Sequence, residues 1–167
     1  VGSIAHSVQK ARQTHTLGIL LHQKGRTFYR NLGEALQRAA DNQLDSKVLL
    51  RLEYLEDLSP DNLAARLIRL SEECESLALV AAEHPIVSDA IDSVLDRGIP
   101  VAGMIAPLSA RGNVGFVGLD NRKVGRTAAW AFDKIIREPG KVGILVGNHR
   151  YRNQEMNESG FRSYLRE

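Results

Sequence analysis

The stretch Gly118-Leu119-Asp120-Asn121-Arg122-Lys123-Val124-Gly125-Arg126-Thr127-Ala128-Ala129 follows an apolar run at residues 114–117 and decides the fold. Asp120 is of the residue type that accepts hydrogen bonds from the free amides at the start of a helix. Gly125, inside that helix, predicts a close approach to a neighbouring element. Apolar residues at helical spacing predict the inward face of the helix: Val124, Ala128, Ala131, Phe132 and Ile135. The stretch therefore predicts a strand that turns directly into a helix, which ends at Glu138-Pro139-Gly140.

The same alternation of short apolar runs and amphipathic stretches extends along the rest of the chain. Apolar runs predict strands at residues 16–21, 47–52, 77–81, 99–105, 114–117 and 141–146. Helical spacing, caps and stop signals predict helices at residues 28–40, after Ser59-Pro60, from Pro85 to Gly98, and at residues 155–165. Strands that alternate with helices predict an α/β fold with a Rossmann-like, doubly wound parallel sheet.

Composition indicates a globular protein, since 43% of the 167 residues are hydrophobic and 25% are charged. No apolar run approaches the roughly 18 residues of a membrane span, and the N-terminus lacks the apolar core of a signal peptide. The single cysteine, Cys74, excludes an internal disulfide and closes an apolar helical pattern, so we expect a partly buried, inert thiol. These features favour a cytoplasmic protein with no membrane partner.

Charge is spread unevenly along the chain. Residues 1–33 hold five basic and no acidic residues, residues 34–96 hold 14 acidic and five basic ones, and residues 97–167 hold 12 basic and six acidic ones. The basic N-terminal end is compatible with an anionic partner such as DNA. The acidic middle is typical of solvated helix faces.

The motifs of several enzyme classes are missing from the sequence. It contains neither the phosphate-binding loop of P-loop nucleotide hydrolases nor a glycine-rich dinucleotide loop after the first strand. The serine-containing elbow of the α/β-hydrolases is absent, and the five histidines do not have the spacing of a zinc site. We therefore expect no enzymatic activity, no cofactor and no metal. A small α/β enzyme or a response-regulator-like domain would require a catalytic or phosphoacceptor cluster that the sequence does not display.

Five segments carry a more specific pattern: His15-Thr16-Leu17-Gly18-Ile19-Leu20-Leu21, Phe28-Tyr29, Arg97-Gly98-Ile99-Pro100-Val101, Val117-Gly118-Leu119-Asp120-Asn121 and Ser159-Gly160-Phe161. In this order they resemble the ligand-binding core of the lactose-repressor/galactose-repressor family of transcription regulators. Periplasmic sugar-binding proteins share that core, which has two Rossmann-like lobes around a small effector. The resemblance covers about residues 14–167 and implies a periplasmic-binding-protein-like fold of type I.

The resemblance implies three regions along the chain. Residues 1–13 would be a hinge-like N-terminal leader, residues 14–139 the N-terminal lobe, and residues 140–167 the first strand and helix of the C-terminal lobe. In the repressors a short hinge helix lies in the DNA minor groove and carries an apolar wedge. Val8 would be that wedge, with Lys10 and Arg12 near phosphates, although the family more often has leucine where this chain has Val8. An arbitrary polar leader is the alternative interpretation.

Ligands in open α/β sheets bind beyond the carboxyl ends of the strands. The resemblance implies that Phe28 and Tyr29 stack on a sugar ring and that Arg26 binds a hydroxyl. The alternative is that the two aromatic residues only begin the helix and pack inward. Glu83 or His84 would contribute after the third strand, although His84 also suits a helix entry. These assignments make the loops after the first and third strands the predicted walls of a ligand site.

The remaining predicted contacts lie further along the chain, and two of them depart from the family pattern. The fourth strand is followed by no acid, so Ser109 or Arg111 would replace the aspartate that sugar binders place there. Asp120 is either a ligand contact or only a helix cap. Asn157 stands where the family commonly has arginine, and Arg150 or Arg152 could supply that guanidinium instead. This basic loop would also suit a phosphorylated or acidic effector.

The sequence thus predicts the effector-sensing core of a DNA-binding transcriptional repressor, with a saccharide bound between two lobes and coupled to operator affinity. Operator DNA would bind through a helix-turn-helix module that this chain lacks, and we expect a homodimer. Leu63 and Leu67 are candidates for the dimer interface, with core packing as the alternative. The alternative function is the solute-binding protein of an ABC-type sugar transporter.

Overall fold

The structure, a computed structural model, describes residues 13–44 and 46–166. Its centre is a five-stranded parallel sheet with the strand order β2-β1-β3-β4-β5. The strands are β1 (Thr14–His22), β2 (Lys47–Leu55), β3 (Ser76–Leu79), β4 (Val101–Met104) and β5 (Gly115–Val117). The α/β fold and the parallel sheet confirm the prediction from the alternating apolar runs.

Three helices cover the two faces of this sheet: α1 (Thr27–Asp41), α2 (Pro60–Leu70) and α3 (Pro85–Leu95). The core on one face joins Leu20 and Leu79 to the apolar sides of α2 and α3. On the other face, Ile19 and Leu21 pack against residues of α1. Successive side chains of β1 therefore enter opposite cores, which is why Ile19, Leu20 and Leu21 are consecutive apolar residues. We call β1–β5 with α1–α3 the sheet body.

Local signals place the helix ends where the sequence predicts them. Ser59 precedes Pro60 at the start of α2, although its hydroxyl donates to Asp57 Oδ2 at 2.8 Å and does not cap the helix. Gly98 follows α3 with a φ of 79°, a conformation that favours glycine. Leu63 and Leu67 lie in the core, with exposed fractions of 3% and 0%, so they are not available to a dimer interface.

Two further helices, α4 (Asn121–Ile135) and α5 (Arg152–Tyr164), pack against each other, and we call them the helix pair. Gly125 of α4 lies against the Asn157 carbonyl, and Gly160 of α5 lies against the Arg122 carbonyl, so a side chain at either glycine would collide with backbone. The close approach predicted from Gly125 is thus present. The Phe132 and Phe161 rings meet edge to face at 5.7 Å.

The apolar face predicted for α4 is wrong. Its buried residues are Asn121, Gly125 and Ala129, whereas Phe132 is 44% and Ile135 75% exposed. The reason is the partner: α4 packs through small residues on another helix and not through its apolar stripe on the sheet. The predicted lobe border at residues 139/140 stays a prediction, but this packing groups α4 with α5.

The strand predicted at residues 141–146 is also wrong, because this segment is neither strand nor helix. Leu145 is fully exposed, and Val142 is 39% exposed. No described strand lies beside the segment, and an extended stretch needs a neighbour to form ladder hydrogen bonds.

The hinge predicted around Val8, Lys10 and Arg12 lies outside the described residues. Within residues 13–44 and 46–166, no helix combines the length and the apolar character needed to cross a membrane. Cys74 is buried, whereas the sequence predicts partial burial.

Candidate functional site

A cavity of about 330 Å³ opens where β1, β3 and β4 end. The sheet body supplies one wall, and the segment at residues 147–154 supplies the opposite wall. The lining residues are His22, Arg26, Tyr29, Leu58, Val80, Ile105, Ala106, Gly147, Asn148, Tyr151, Asn153 and Gln154. This is the place where open parallel sheets bind ligands, because helix starts and polar loops gather at the carboxyl ends of the strands. We call it the strand-end cavity.

His22, the last residue of β1, is only 5% exposed and lines this cavity. Its Nε2 lies 2.9 Å from the Val80 carbonyl oxygen. Since a carbonyl only accepts, Nε2 must carry the proton that it donates. Burial lowers the pKa of His22 below its ordinary value of 6.5, and the nearby Arg26 charge lowers it further. The ring is therefore neutral near pH 7, which leaves Nδ1 as an acceptor.

Two tyrosines flank this histidine. The Tyr29 ring lies 4.9 Å and the Tyr151 ring 5.6 Å from the His22 ring, centroid to centroid. Burial raises the pKa of both phenols, so each keeps its hydroxyl proton at neutral pH. Three rings with hydrogen-bonding atoms thus line the cavity, two from the sheet body and one from the opposite wall. This arrangement can contact the apolar ring faces and the polar groups of one ligand.

Arg26 stands at the N-cap position of α1 and lines the cavity. Its Nε donates to Gln23 Oε1 at 2.8 Å. Phe28, its predicted companion, is 60% exposed and packs edge-on against Tyr29 at 5.2 Å, but does not line the cavity. The structure therefore brings Arg26 and Tyr29 to the site and leaves Phe28 beside it.

Gln154 holds the opposite wall in place. Its Oε1 accepts hydrogen bonds from the backbone N–H of Gly147 at 2.9 Å and of Asn148 at 3.1 Å. Asn148 Oδ1 in turn accepts from the Arg150 N–H at 2.9 Å. Asn153 Oδ1 is buried and has no hydrogen-bond partner among the described residues. This atom is an acceptor that a ligand donor could satisfy.

The backbone is strained where β4 enters the site. Ile105 has a φ of 68°, in the left-handed region that a β-branched residue rarely adopts. The Ala106 N–H donates to the Met104 carbonyl at 2.7 Å across it, which closes a γ-turn. Strain of this kind is typical of ligand-binding positions. It places Ile105 and Ala106 on the cavity wall.

A second cavity of about 280 Å³ adjoins the first and is lined by Glu83, His84 and Arg150 among others. The Glu83 N–H donates to the Arg150 carbonyl at 2.7 Å. Arg152 Nη1 donates to Ser109 Oγ at 2.7 Å and lies 3.7 Å from Glu83 Oε1. The predicted residues Glu83 and Arg150 therefore line this cavity, and Ser109 is connected to Glu83 through Arg152. These contacts join the sheet body to the segment at 147–154.

Other predicted contacts have evident structural roles. His84 caps α3, with Nδ1 accepting from the Ile86 N–H at 3.3 Å. Asp120 caps α4 by accepting from the Lys123 N–H at 3.1 Å and lies outside both cavities. Arg111, the alternative to Ser109, pairs with the buried Asp92 at 3.1 Å.

Asn157 faces α4 and lines a third cavity of about 370 Å³, between the helix pair and residues 142–146. The structure does not bring Asp120 or Asn157 to the strand-end cavity, and a ligand role for either stays a prediction.

Sequence reasoning missed His22, Tyr151 and Asn153 as site residues. His22 and Tyr151 each follow a predicted strand, so their position after an apolar run was the available signal. His22, Tyr151 and Asn153 lie at one cavity only because residues 147–154 pack against the sheet body, and the spacing of residues in the sequence does not predict that packing. Among the described residues, no group of three or more His, Cys, Asp or Glu side chains could hold a metal ion. The arrangement is suited to binding a small polar molecule.

Comparison with known proteins identifies a family and a fold. The family described as periplasmic binding protein domain matches residues 17–167. No curated protein matches the chain. One similar solved structure is GanP, a glucose-galactose binding protein from Geobacillus stearothermophilus, with 18% identity and a TM-score of 0.80 over 93% of this chain and 55% of that one.

Two further solved structures have TM-scores of 0.79. One is a periplasmic solute-binding protein of an ABC transporter from Actinobacillus succinogenes with bound D-allose, 17% identical over 91% of this chain and 55% of that one. The other is the fructose-binding periplasmic domain of a hybrid two-component system, 16% identical over 91% of this chain and 50% of that one. At these identities the likeness shows the fold. The chain spans about half the length of the structures that it matches.

Proposed function

The chain belongs to the periplasmic binding protein domain family, and on that premise we propose that it binds a small saccharide in the strand-end cavity as part of a solute receptor. The observation that carries the proposal is the cavity's lining. His22, Tyr29 and Tyr151 offer ring faces, while Arg26 and Asn153 offer a donor and an unpaired acceptor. Pyranose and furanose rings present the matching combination of C–H faces and hydroxyl groups.

The size of the cavity supports a small ligand. About 330 Å³ lies at the lower end of the range of roughly 300–1,000 Å³ for small-molecule pockets. A monosaccharide fits that range better than an oligosaccharide. The neighbouring cavity at Glu83 and Arg150 leaves room for a substituent.

Binding would couple the two walls of the cavity. The sheet body and residues 147–154 already meet through the Glu83–Arg150 backbone hydrogen bond and through Arg152. A ligand that contacts both walls stabilises their joined state over a separated one. This is the response that a transporter or a signalling partner would detect.

A transport or signalling receptor has better support than the repressor core. The similar structures include a transporter solute-binding protein and a domain of a two-component system. The repressor interpretation depends on Val8, Lys10 and Arg12, which lie outside the described residues, and operator DNA and a homodimer have no support from the described contacts. The two interpretations differ in compartment, cytoplasm for the repressor and outside the cytoplasmic membrane for the receptor, so cell fractionation separates them.

Isothermal titration against a panel of monosaccharides tests the binding proposal. We expect at least one sugar to bind, and Tyr151→Ala to weaken its affinity by about tenfold, because ring contacts contribute up to about 1.5 kcal/mol and the variant also enlarges the cavity. Tyr151→Phe keeps the ring and separates its contribution from that of the hydroxyl.

Trp130→Ala is the matched control, since Trp130 is half-exposed on α4 and lines neither cavity. Its affinity should equal that of the unaltered protein. If the Tyr151→Ala protein binds the sugar with the same affinity as the unaltered protein, the ligand site does not lie in the strand-end cavity. The absence of binding across the panel would refute the proposal.

A further inference from the structure

Charge in the strand-end cavity is of one sign. Arg26 lines the cavity, and among the described residues no aspartate or glutamate does so. Arg26 also makes no ion pair with a described carboxylate. Glu83 lies in the adjoining cavity, 3.7 Å from Arg152, with its buried Oε1 in no hydrogen bond to a described residue, and Glu56 Oε1 accepts from the Lys24 N–H at 3.3 Å. A guanidinium without a carboxylate partner is a strong donor for an anionic group.

Two helices begin at this cavity from opposite walls. Arg26 is the N-cap of α1, and Tyr151 is the N-cap of α5, and no side chain caps either helix. The first turn of α1 contains no acid. Glu155 lies in the first turn of α5, but it is exposed and does not line the cavity. Free amides and the helix dipole make each start attractive to negative charge, and here two of them act on one space.

His22 indicates that the ligand also carries a hydrogen-bond donor, in addition to an anionic group. It is 95% buried, its Nε2 is used by the Val80 carbonyl, and its Nδ1 has no partner among the described residues. A neutral imidazole accepts at Nδ1, so the group opposite it must donate. Asn153 Oδ1 is a second unpaired acceptor on the same cavity. Hydroxyl groups supply such donors, whereas a bare phosphate dianion or carboxylate does not.

We propose that the strand-end cavity takes an anionic saccharide, with its carboxylate or phosphate beside Arg26 and the two helix starts and its hydroxyl groups on His22 and Asn153. This rests on the proposed function and narrows the class of sugar. A neutral hexose would leave the Arg26 charge and the free helix amides without an anionic partner. Carboxylate and phosphate present the same chemistry to these groups, and the experiment distinguishes them.

The test compares ligands that differ only in charge. Each neutral monosaccharide of the panel is titrated beside its uronate and its terminal phosphate ester, at low and high NaCl concentration. We expect one charged form to bind about tenfold more tightly than the neutral sugar, the difference between charge-assisted and neutral hydrogen bonds. Its affinity should fall at high salt, because the ion pair is screened. The preferred charged form identifies the anionic group.

Variants assign the preference to Arg26. Arg26→Gln should remove the advantage of the charged form, and Arg26→Lys should retain part of it. Arg30→Gln is the matched control, because Arg30 lies one turn further along α1 and does not line the cavity. Circular dichroism and the Tm check that each variant is folded.

Neutral and charged forms that bind equally, with binding still weakened in Tyr151→Ala, would overturn the anionic preference and leave the proposed function intact. An unchanged preference in Arg26→Gln would also overturn it. If no member of any set binds, both proposals fail.

Discussion

The sheet body and the helix pair bury their residues in different ways. In the sheet body, large aliphatic side chains such as Leu67, Leu79 and Ile91 are fully enclosed. In the helix pair, Gly125 and Gly160 lie against the backbone of the other helix and the Phe132 ring meets the buried Phe161 ring. Other large apolar side chains, Trp130 and Ile135, remain exposed. The same chain thus contains one core that is filled by large aliphatic side chains and one helix–helix interface in which glycines allow the backbones to approach closely.

This difference shows that apolar pattern and apolar burial are separate properties. The sequence of α4 is amphipathic, yet much of its apolar face is exposed. The reason is that its described partner is a helix, which contacts α4 on a different face, and not a sheet. Hydrophobic stabilisation is proportional to the apolar area that is removed from water. The same residue type therefore contributes more to the free energy of unfolding in the sheet body than on the exposed face of α4.

The largest expected effect comes from replacing an isoleucine by alanine in each of the two regions. Ile91 is fully buried in the sheet body, and Ile135 is 75% exposed on α4. Ile91→Ala should lower the free energy of unfolding by about 2–5 kcal/mol, because it leaves a cavity in a closed core. Ile135→Ala should change it by less than about 0.5 kcal/mol. Urea titration followed by circular dichroism measures both, and similar losses of stability would contradict the difference between the two regions.

A smaller effect is expected from the glycines of the helix pair. Gly125→Ala or Gly160→Ala places a methyl group against a carbonyl of the other helix and should cost about 1–3 kcal/mol. The gain in helix propensity, up to about 1 kcal/mol, offsets only part of that.

Trp130, the only tryptophan, lies in α4, so its fluorescence reports on this pair during urea titration. Gly143→Ala is the control, since nothing lies within 4 Å of the position of its new methyl group. If Gly125→Ala and Gly160→Ala change the free energy of unfolding no more than the control does, the two glycines are not required for the packing of the helix pair.

The smallest effect concerns pH. His22 is buried in the sheet body with a pKa below 6.5, so the unfolded chain binds more protons than the folded one between those two values. The free energy of unfolding should therefore fall as the pH decreases below about 6.5, and should be flat with respect to this group above it.

His22→Asn keeps a donor for the Val80 carbonyl and removes the titration, so its stability should depend less on pH between 7.5 and 5.5. His149→Asn, an exposed position beside Glu158, is the control from the helix-pair side. An unchanged pH profile in His22→Asn would show that another group is responsible.

Much of the sheet body could be predicted from the sequence. Short apolar runs, Pro60 and Pro85 at helix starts and Gly98 at a helix end are local signals, and all of them act locally in the structure. The failures at residues 141–146 and on α4 have a common physical cause. An apolar stretch becomes a strand or a buried face only when a partner covers it, and that partner is not specified by the stretch itself.

The candidate site was predictable to the extent that it follows the strand ends. Arg26, Tyr29, Glu83 and Arg150 were identified from loops after predicted strands, and the structure places them at the two adjoining cavities. Tyr151 and the acceptor atoms of His22 and Asn153 depend on tertiary docking and on which hydrogen bonds remain unmade. Such features arise only in the folded structure.

The most direct test of the central claim is hydrogen exchange in the presence and absence of the tightest-binding saccharide. A ligand between the two walls should slow exchange at both residues 22–30 and residues 147–154, and leave the buried helix α2 unchanged. Protection on both walls is the predicted result. Protection of the helix pair alone, or of neither wall despite saturating ligand, would contradict the assignment of the strand-end cavity as the binding site.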